Sequence, residues 1–215
     1  MRKLLAVEKS EREWFVDFRK TAEFAEALAF VWRNGHISSG SFILSDDSFE
    51  YINRFATLVN TTVRSNSDRT LNIGYWYCSL GMNHPFIKEI IKMGWKSGSR
   101  YERDYPQGDL NDTAFIKAYI NIRHDLSRKK SNGRRGTYFA PRLRIYGSEQ
   151  VLRRINQHFH EIIGTKIKSV QLESKKKNIK TINYQSVEEV QKILEYVGAF
   201  ESLERFYAFE LGYQE

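Results

Sequence analysis

Ala25-Glu26-Ala27-Leu28-Ala29-Phe30-Val31 returns 89 residues later as Ala114-Phe115-Ile116-Lys117-Ala118-Tyr119-Ile120, with two alanines four apart and an aromatic followed by a branched aliphatic in both copies. The segments that follow repeat too. Ser45 opens a stretch with Phe49, Ile52, Asn53 and Val59, and 103 residues on Ser148 opens one with Leu152, Ile155, Asn156 and Ile162, all at helical spacing. At an offset of 104, Phe86–Gly94 stands beside Val190–Gly198, two amphipathic runs that each end in glycine. A chain that repeats itself once in this way is expected to be a pseudo-dimer. The offset grows by 14 after the first element, so the second copy carries an insertion, and the basic residues lie there.

Reading outward from the repeat gives the same order twice. Thr21 caps a helix that runs to about Arg33, with Gly35 ending it. Ser38-Ser39-Gly40-Ser41 marks a tight hairpin turn. A helix over about Asp47 to Leu58 follows, then a second hairpin over Thr61–Leu80 with its polar turn at Arg64–Arg69, then a helix from Pro85 to Met93. In the second copy, Asn111 or Asp112 caps a helix to about Arg123, and a long hairpin covers His124–Tyr146, turning near Ser131-Asn132-Gly133. A helix over Glu149–Ile162 leads to strands near Ile167–Leu172 and Lys180–Tyr184, and Val187–Val197 is the last helix. The expected organisation is an extension at 1–20, a half at 21–95, a linker at 96–110, a half at 111–198 and an aromatic tail at 199–215. The fold class is α+β, with two pseudo-symmetric αββαββα halves.

Alanines four apart lie on one helical face and permit close backbone approach, so Ala25 and Ala29 are expected to face Ala114 and Ala118 across a central two-helix seam. The hairpins would then build a saddle of antiparallel strands with outward side chains alternating.

Composition narrows the function. Hydrophobic residues make up 41% and aromatics 14% of the 215 residues, enough to bury a core rather than remain disordered. The single cysteine, Cys78, offers no intramolecular disulfide and no zinc-site spacing, and the apolar run at Leu4–Val7 ends at Glu8 and Lys9, too soon for a signal peptide. A cytoplasmic protein is expected. The net charge of +8 is uneven: residues 1–110 carry 15 Lys+Arg against 14 Asp+Glu, whereas residues 125–180 carry 15 against 4. Such concentration suits a polyanion, because each phosphate neutralised releases condensed counterions.

In the second half the candidate DNA contacts are Arg142 and Arg144, which share one strand face with Tyr146 while Leu143 and Ile145 take the other, the hairpin residues Arg128, Lys129, Lys130, Arg134 and Arg135, and the basic set Lys166, Lys168, Lys175, Lys176, Lys177 and Lys180. In the first half they are Arg64, Asn66 and Arg69. That half is less basic, so asymmetric contacts and a non-palindromic site are expected. A salt-bridged, exposed strand is the alternative for Arg142 and Arg144. Two histidines in one helix, His158 and His160, point in different directions and read as structural rather than as a metal pair.

In length, element order and repeat the chain resembles the LAGLIDADG homing endonucleases in their two-motif, single-chain form, from about residue 21 to 198. The motif helix of that family ends in a pattern like Phe-x-x-Gly-x-x-Asp-x-Asp-Gly. The copies here end Trp32-Arg33-Asn34-Gly35 and Asn121-Ile122-Arg123-His124, so a single terminal glycine survives. The resemblance implies double-stranded DNA as partner, a monomer with internal two-fold pseudosymmetry, and a divalent metal held by the last acidic residue of each motif. Asn34 and Arg123 occupy those positions. Asn34 offers one neutral oxygen, whereas the guanidinium of Arg123 has no acceptor and suits a phosphate instead. The resemblance therefore implies a retained fold and a lost nuclease centre, with no catalytic residue and no cofactor. Bacterial sporulation regulators with degenerate domains of this kind are a precedent for a transcriptional role. One alternative is an active or weakly active Mg2+-dependent nuclease that uses Asn34 with Asp125, two residues beyond the expected position, as a displaced ligand. A second alternative is an RNA-binding intron maturase.

Overall fold

The computed structural model describes residues 13–68, 73–133, 136–174 and 178–214. Thr21 starts the first helix as its sequence suggests, its hydroxyl oxygen accepting from the Phe24 amide at 3.2 Å, and α1 spans Ala22–Asn34. Gly35 ends it in an extended conformation (φ −69°, ψ 140°), not a left-handed one. Space explains the glycine: a Cβ there would lie 2.7 Å from the Phe42 ring and 2.8 Å from the Val31 carbonyl oxygen.

The chain passes directly into β1 (Gly35–Ser38) and back through β2 (Ser41–Asp46), with Ser39 and Gly40 at positive φ in the turn. Ser48 caps α2 (Phe49–Leu58), accepting from the Tyr51 amide at 3.3 Å. Next come β3 (Arg64–Asp68), β4 (Ile73–Gly81) and α3 (Pro85–Lys92). The polar stretch expected as a turn from Arg64 is thus a strand as far as Asp68. Among the described residues it is an edge strand paired only with β4, so its backbone bonds rather than apolar side chains hold it in the sheet.

The order then repeats: α4 (Asp112–Ile122), β5 (Asp125–Gly133), β6 (Gly136–Gly147), α5 (Glu149–Ile163), β7 (Gln171–Ser174), β8 (Ile179–Tyr184) and α6 (Val187–Val197). The tail is ordered structure of its own, α7 (Phe200–Tyr207) and β9 (Gly212–Gln214). Both sheets are antiparallel. The first runs β1-β2-β4-β3, the second β5-β6-β8-β7 with β9 also paired to β6.

Two compact units result, and their boundary does not follow the repeat. One runs to Arg100 and includes Pro106–Ile122, so α4 belongs with the first sheet; the other comprises Tyr101–Tyr105 and everything from Arg123. In the first unit the core holds Phe24, Leu28, Phe55, Phe86 and Ile90 beside the strand residues Phe42, Leu44, Cys78 and Leu80. The 13–18 segment adds Phe15 and Phe18, whose rings meet Phe24 edge-on. In the second unit Leu143, Ile145, Ile182 and Tyr184 face Leu152, Ile155, Phe159, Val190 and Ile193. Each sheet therefore buries one face under helices and leaves the other open. Among the described residues no helix is long and apolar enough to cross a membrane.

Candidate nucleic-acid interface

Directly opposed residues in an antiparallel pair share a face, so the strand register identifies each open face. In the second sheet Arg144 pairs with Asp125 and Asn183, Arg142 with Ser127, Ala140 with Lys129, and Tyr138 with Ser131. These residues, with Tyr146, lie on the face opposite buried Leu143 and Ile145, which is the alternation read from the sequence. Arg142 makes one hydrogen bond there, from Nε to Ser127 Oγ at 3.3 Å, and no carboxylate pairs with it among the described residues.

Arg144 differs. Its Nη2 meets Asp125 Oδ2 at 2.8 Å and its Nη1 meets Glu173 Oε1 at 2.8 Å. The hydrogen bond it donates to Asp125 raises the pKa of Arg144 above its ordinary value. Two arginines two residues apart on one strand thus present opposite states, one available and one clasped.

The remaining basic residues divide between the two sides of the sheet. Lys129 is on the open face, its Nζ 3.5 Å from Gln185 Oε1. Arg128 and Lys130 are on the opposite side, where the Arg128 guanidinium lies 4.1 Å over the Phe139 ring and 3.4 Å from Glu210 Oε2. Lys168 pairs with Glu189 at 2.7 Å and Lys180 with Glu149 at 2.8 Å, both on the helix side. Lys166 is exposed. Arg134, Arg135, Lys175, Lys176, Lys177 and, in the first sheet, Arg69 lie outside the described residues.

The open face of the first sheet carries Arg64 opposite Tyr77 and Asn66 opposite Tyr75, with Ile43 and Ser45 on β2. Asn66 Nδ2 donates to Tyr75 Oη at 2.8 Å, and the Tyr75 and Tyr77 rings are 6.2 Å apart. This face is aromatic and amide-bearing where its counterpart is basic. His158 bonds Tyr196 Oη at 2.8 Å and His160 bonds the Thr165 carbonyl at 2.8 Å, structural roles in the second unit.

At the packed helices α1 and α4 the repeat alanines take unequal places. Ala25 and Ala29 are fully buried, while Ala114 and Ala118 are half-buried and line a groove of about 390 Å3 with Ala22, Glu26 and Phe30. The last turn of α1 is tied to α4 by Trp32 and by Arg33, of which the sequence reading passed over Arg33. Arg33, 2% exposed, donates from Nε to the Tyr119 carbonyl at 2.9 Å and lies 3.8 Å over the Tyr119 ring. Trp32 meets Phe115 edge-on at 6.3 Å. An arginine inside an otherwise apolar helical run was the available signal for Arg33.

Asn34 ends α1 with its amide committed: Nδ2 donates to Asp46 Oδ2 at 2.7 Å, and Oδ1 accepts from Arg100 Nη1 at 3.1 Å. Asp46 also accepts from the Ser48 amide at 3.0 Å. Arg100 belongs to the stretch read as a linker, and nothing local marked it. Arg123, directly after α4, is exposed. Asp125 spends Oδ2 on Arg144, and its Oδ1 is buried with no hydrogen-bond partner. A hard divalent cation requires several anionic or carbonyl oxygens converging on one point. The Asn34 oxygen faces a guanidinium, Arg123 is itself a cation, and Asp125 is neutralised by Arg144, so none of the three by itself presents such a set of oxygens. Among the described residues no group of three His, Cys, Asp or Glu side chains could hold a metal.

No family model matches the sequence, and no curated protein matches it. Solved structures do. The I-LtrWI LAGLIDADG homing endonuclease bound to target DNA is similar with a TM-score of 0.58 at 10% identity, over 87% of this chain and 90% of that one. The meganuclease I-SmaMI bound to uncleavable DNA has a TM-score of 0.57 at 7% identity, over 86% of each chain. I-DmoI in complex with DNA and Mn has a TM-score of 0.52 at 12% identity, over 82% and 96%. The chain has the fold of the LAGLIDADG homing endonucleases, as the repeat and element order led us to expect.

Proposed function

We propose that this chain binds a specific sequence of double-stranded DNA through the open faces of its sheets, does not cut it, and acts as a regulator of transcription. The fold supports the partner, since I-LtrWI, I-SmaMI and I-DmoI are each in complex with DNA. A two-stranded ribbon fits the major groove, where arginine donates two bonds to a guanine edge. This reading assigns that role to Arg142, supported by its position on the open face with Lys129, and adds Arg64 and Asn66 on the first sheet.

The observation that carries the loss of cleavage is the Arg100 guanidinium 3.1 Å from Asn34 Oδ1, at the helix end where the family places a metal ligand. A metal at such a position would polarise the phosphodiester and activate water. A guanidinium beside that oxygen supplies none of this chemistry, since it has no acceptor to offer a metal.

Selection from a random duplex library in the presence of Mg2+ or Mn2+, followed by sequencing of bound molecules and their ends, tests the reading. The expected result is one enriched, non-palindromic sequence with intact strands. Metal-dependent cut ends would replace this reading with the nuclease one, and preferential recovery of structured intron RNA would replace it with a maturase.

A further inference from the structure

The C-terminal tail is built into the second sheet. Four contacts fasten it: His124 Nε2 to Ser202 Oγ at 2.7 Å, Arg205 Nη2 to the Leu126 carbonyl at 3.3 Å, the burial of Phe206, and Arg128 Nη1 to the Glu210 carbonyl at 3.2 Å. After this clasp β9 joins the edge of β6 that β8 uses, but further along: β8 pairs with Leu143–Gly147 and β9 with Thr137–Phe139. Tyr213 is directly opposite Tyr138, so both rings lie on the open face, the one that carries Lys129 and Arg142. The rings are 5.1 Å apart, and Tyr213 remains 63% exposed. A strand that costs ordering entropy and leaves its largest side chain in solvent has a surface to present.

We infer that Tyr138 and Tyr213 form an aromatic ledge that extends the DNA-reading face, with their hydroxyls donating to phosphates and their rings packing on the deoxyribose of one flank. The inference rests on the DNA-binding reading above. Tyrosine is suited to it, being a rigid apolar body with a polar tip and a recurrent backbone donor. Tyr138 lies four positions from Arg142 along β6, about 13 Å at about 3.3 Å per residue. With duplex DNA rising about 3.4 Å per base pair, the ledge meets the flank about four base pairs from the step beneath Arg142.

Hydroxyl-radical footprints on the duplex that the full chain selects test this, comparing the wild type with Tyr138→Ala/Tyr213→Ala, a chain ending at Leu211, and Arg142→Ala. The expected result is that the tyrosine variant and the shortened chain lose about four base pairs of protection at one end only, with protection around the Arg142 step retained. The double substitution changes only exposed rings, so it stands even if the shortened chain fails to fold. An unchanged footprint edge in the tyrosine variant, with Arg142→Ala still weakened, overturns the ledge alone. Absence of any protection by the wild type overturns the DNA reading and the ledge with it.

Discussion

Arg33 lies 3.8 Å over the ring of Tyr119 and bonds its carbonyl oxygen at 2.9 Å, tying the last turn of α1 to the last turn of α4. The carbonyl so bound is satisfied by a side chain 86 residues away. A charge this deep, 2% exposed, needs partners that offset its desolvation, and the Tyr119 ring and carbonyl are two of them.

Arg33→Met should therefore lower the unfolding free energy in urea by about 3 kcal/mol. Arg33→Lys should recover little of it, because an ammonium lacks the planar face that stacks and the Nε–H that points to the carbonyl. A stability within about 0.5 kcal/mol of wild type, the ordinary range for surface substitutions, would remove the clamp from the account.

Arg142 and Arg144 should separate in binding. Arg142→Ala should weaken specific binding by about 1 to 3 kcal/mol, the worth of a bidentate base contact. Glu173→Gln should release one arm of Arg144, raising affinity for non-specific duplex and steepening its salt dependence. Gel-shift titrations at several salt concentrations read both effects, and equal behaviour of Arg142→Ala and Arg144→Ala would contradict the distinction.

Gly35→Ala should cost about 1 to 3 kcal/mol, because the new methyl meets the Phe42 ring and the Val31 carbonyl while the backbone itself is unstrained. Phe42→Leu in that background should return part of the loss. Denaturant midpoints of the single and double variants check this, and strictly additive losses would exclude the ring as the obstacle.

Glu149 receives Lys180 at 2.8 Å and Arg153 at 2.6 Å, and these hydrogen bonds hold its carboxyl down at about 2 against an ordinary 4.5. The folded value is the lower one, so the stabilisation is complete above pH 4.5 and lost as the pH falls to about 2. The melting temperature of Glu149→Gln should lie below wild type at pH 6, with the gap closing on acidification and narrowing in high salt. A gap constant from pH 6 to 2 would assign the effect to packing.

Cys78 is buried among the core strands, which pushes its thiol up to about 12. Its reaction with a disulfide reagent at pH 8 should proceed only as fast as the first unit opens. Rapid stoichiometric labelling of the native protein would show that this core is accessible.

Local signals were enough for the element order. Thr21, Ser48 and Ser148 bond the amides three residues on, and the apolar period marks Val187–Val197 to the residue. Such features depend on neighbours within about one helical turn, and the sequence displays those directly. The doubled αββαββα order and the face alternation on β6 were legible for that reason.

Pairing across the fold was not. Arg142 and Arg144 look alike in the sequence, and only the placement of Asp125 and Glu173 by register and bulge leaves one available and the other held. Arg100 reaches Asn34 over 66 residues, and Tyr213 finds Tyr138 through an added strand. Periodicity states which side of an element faces the core, whereas a charge or ring far along the chain acquires a partner only when packing sets the distance. The sequence by itself therefore determined the repeat, the elements and the likeness of fold; the tertiary structure decided which cations remain to meet a ligand.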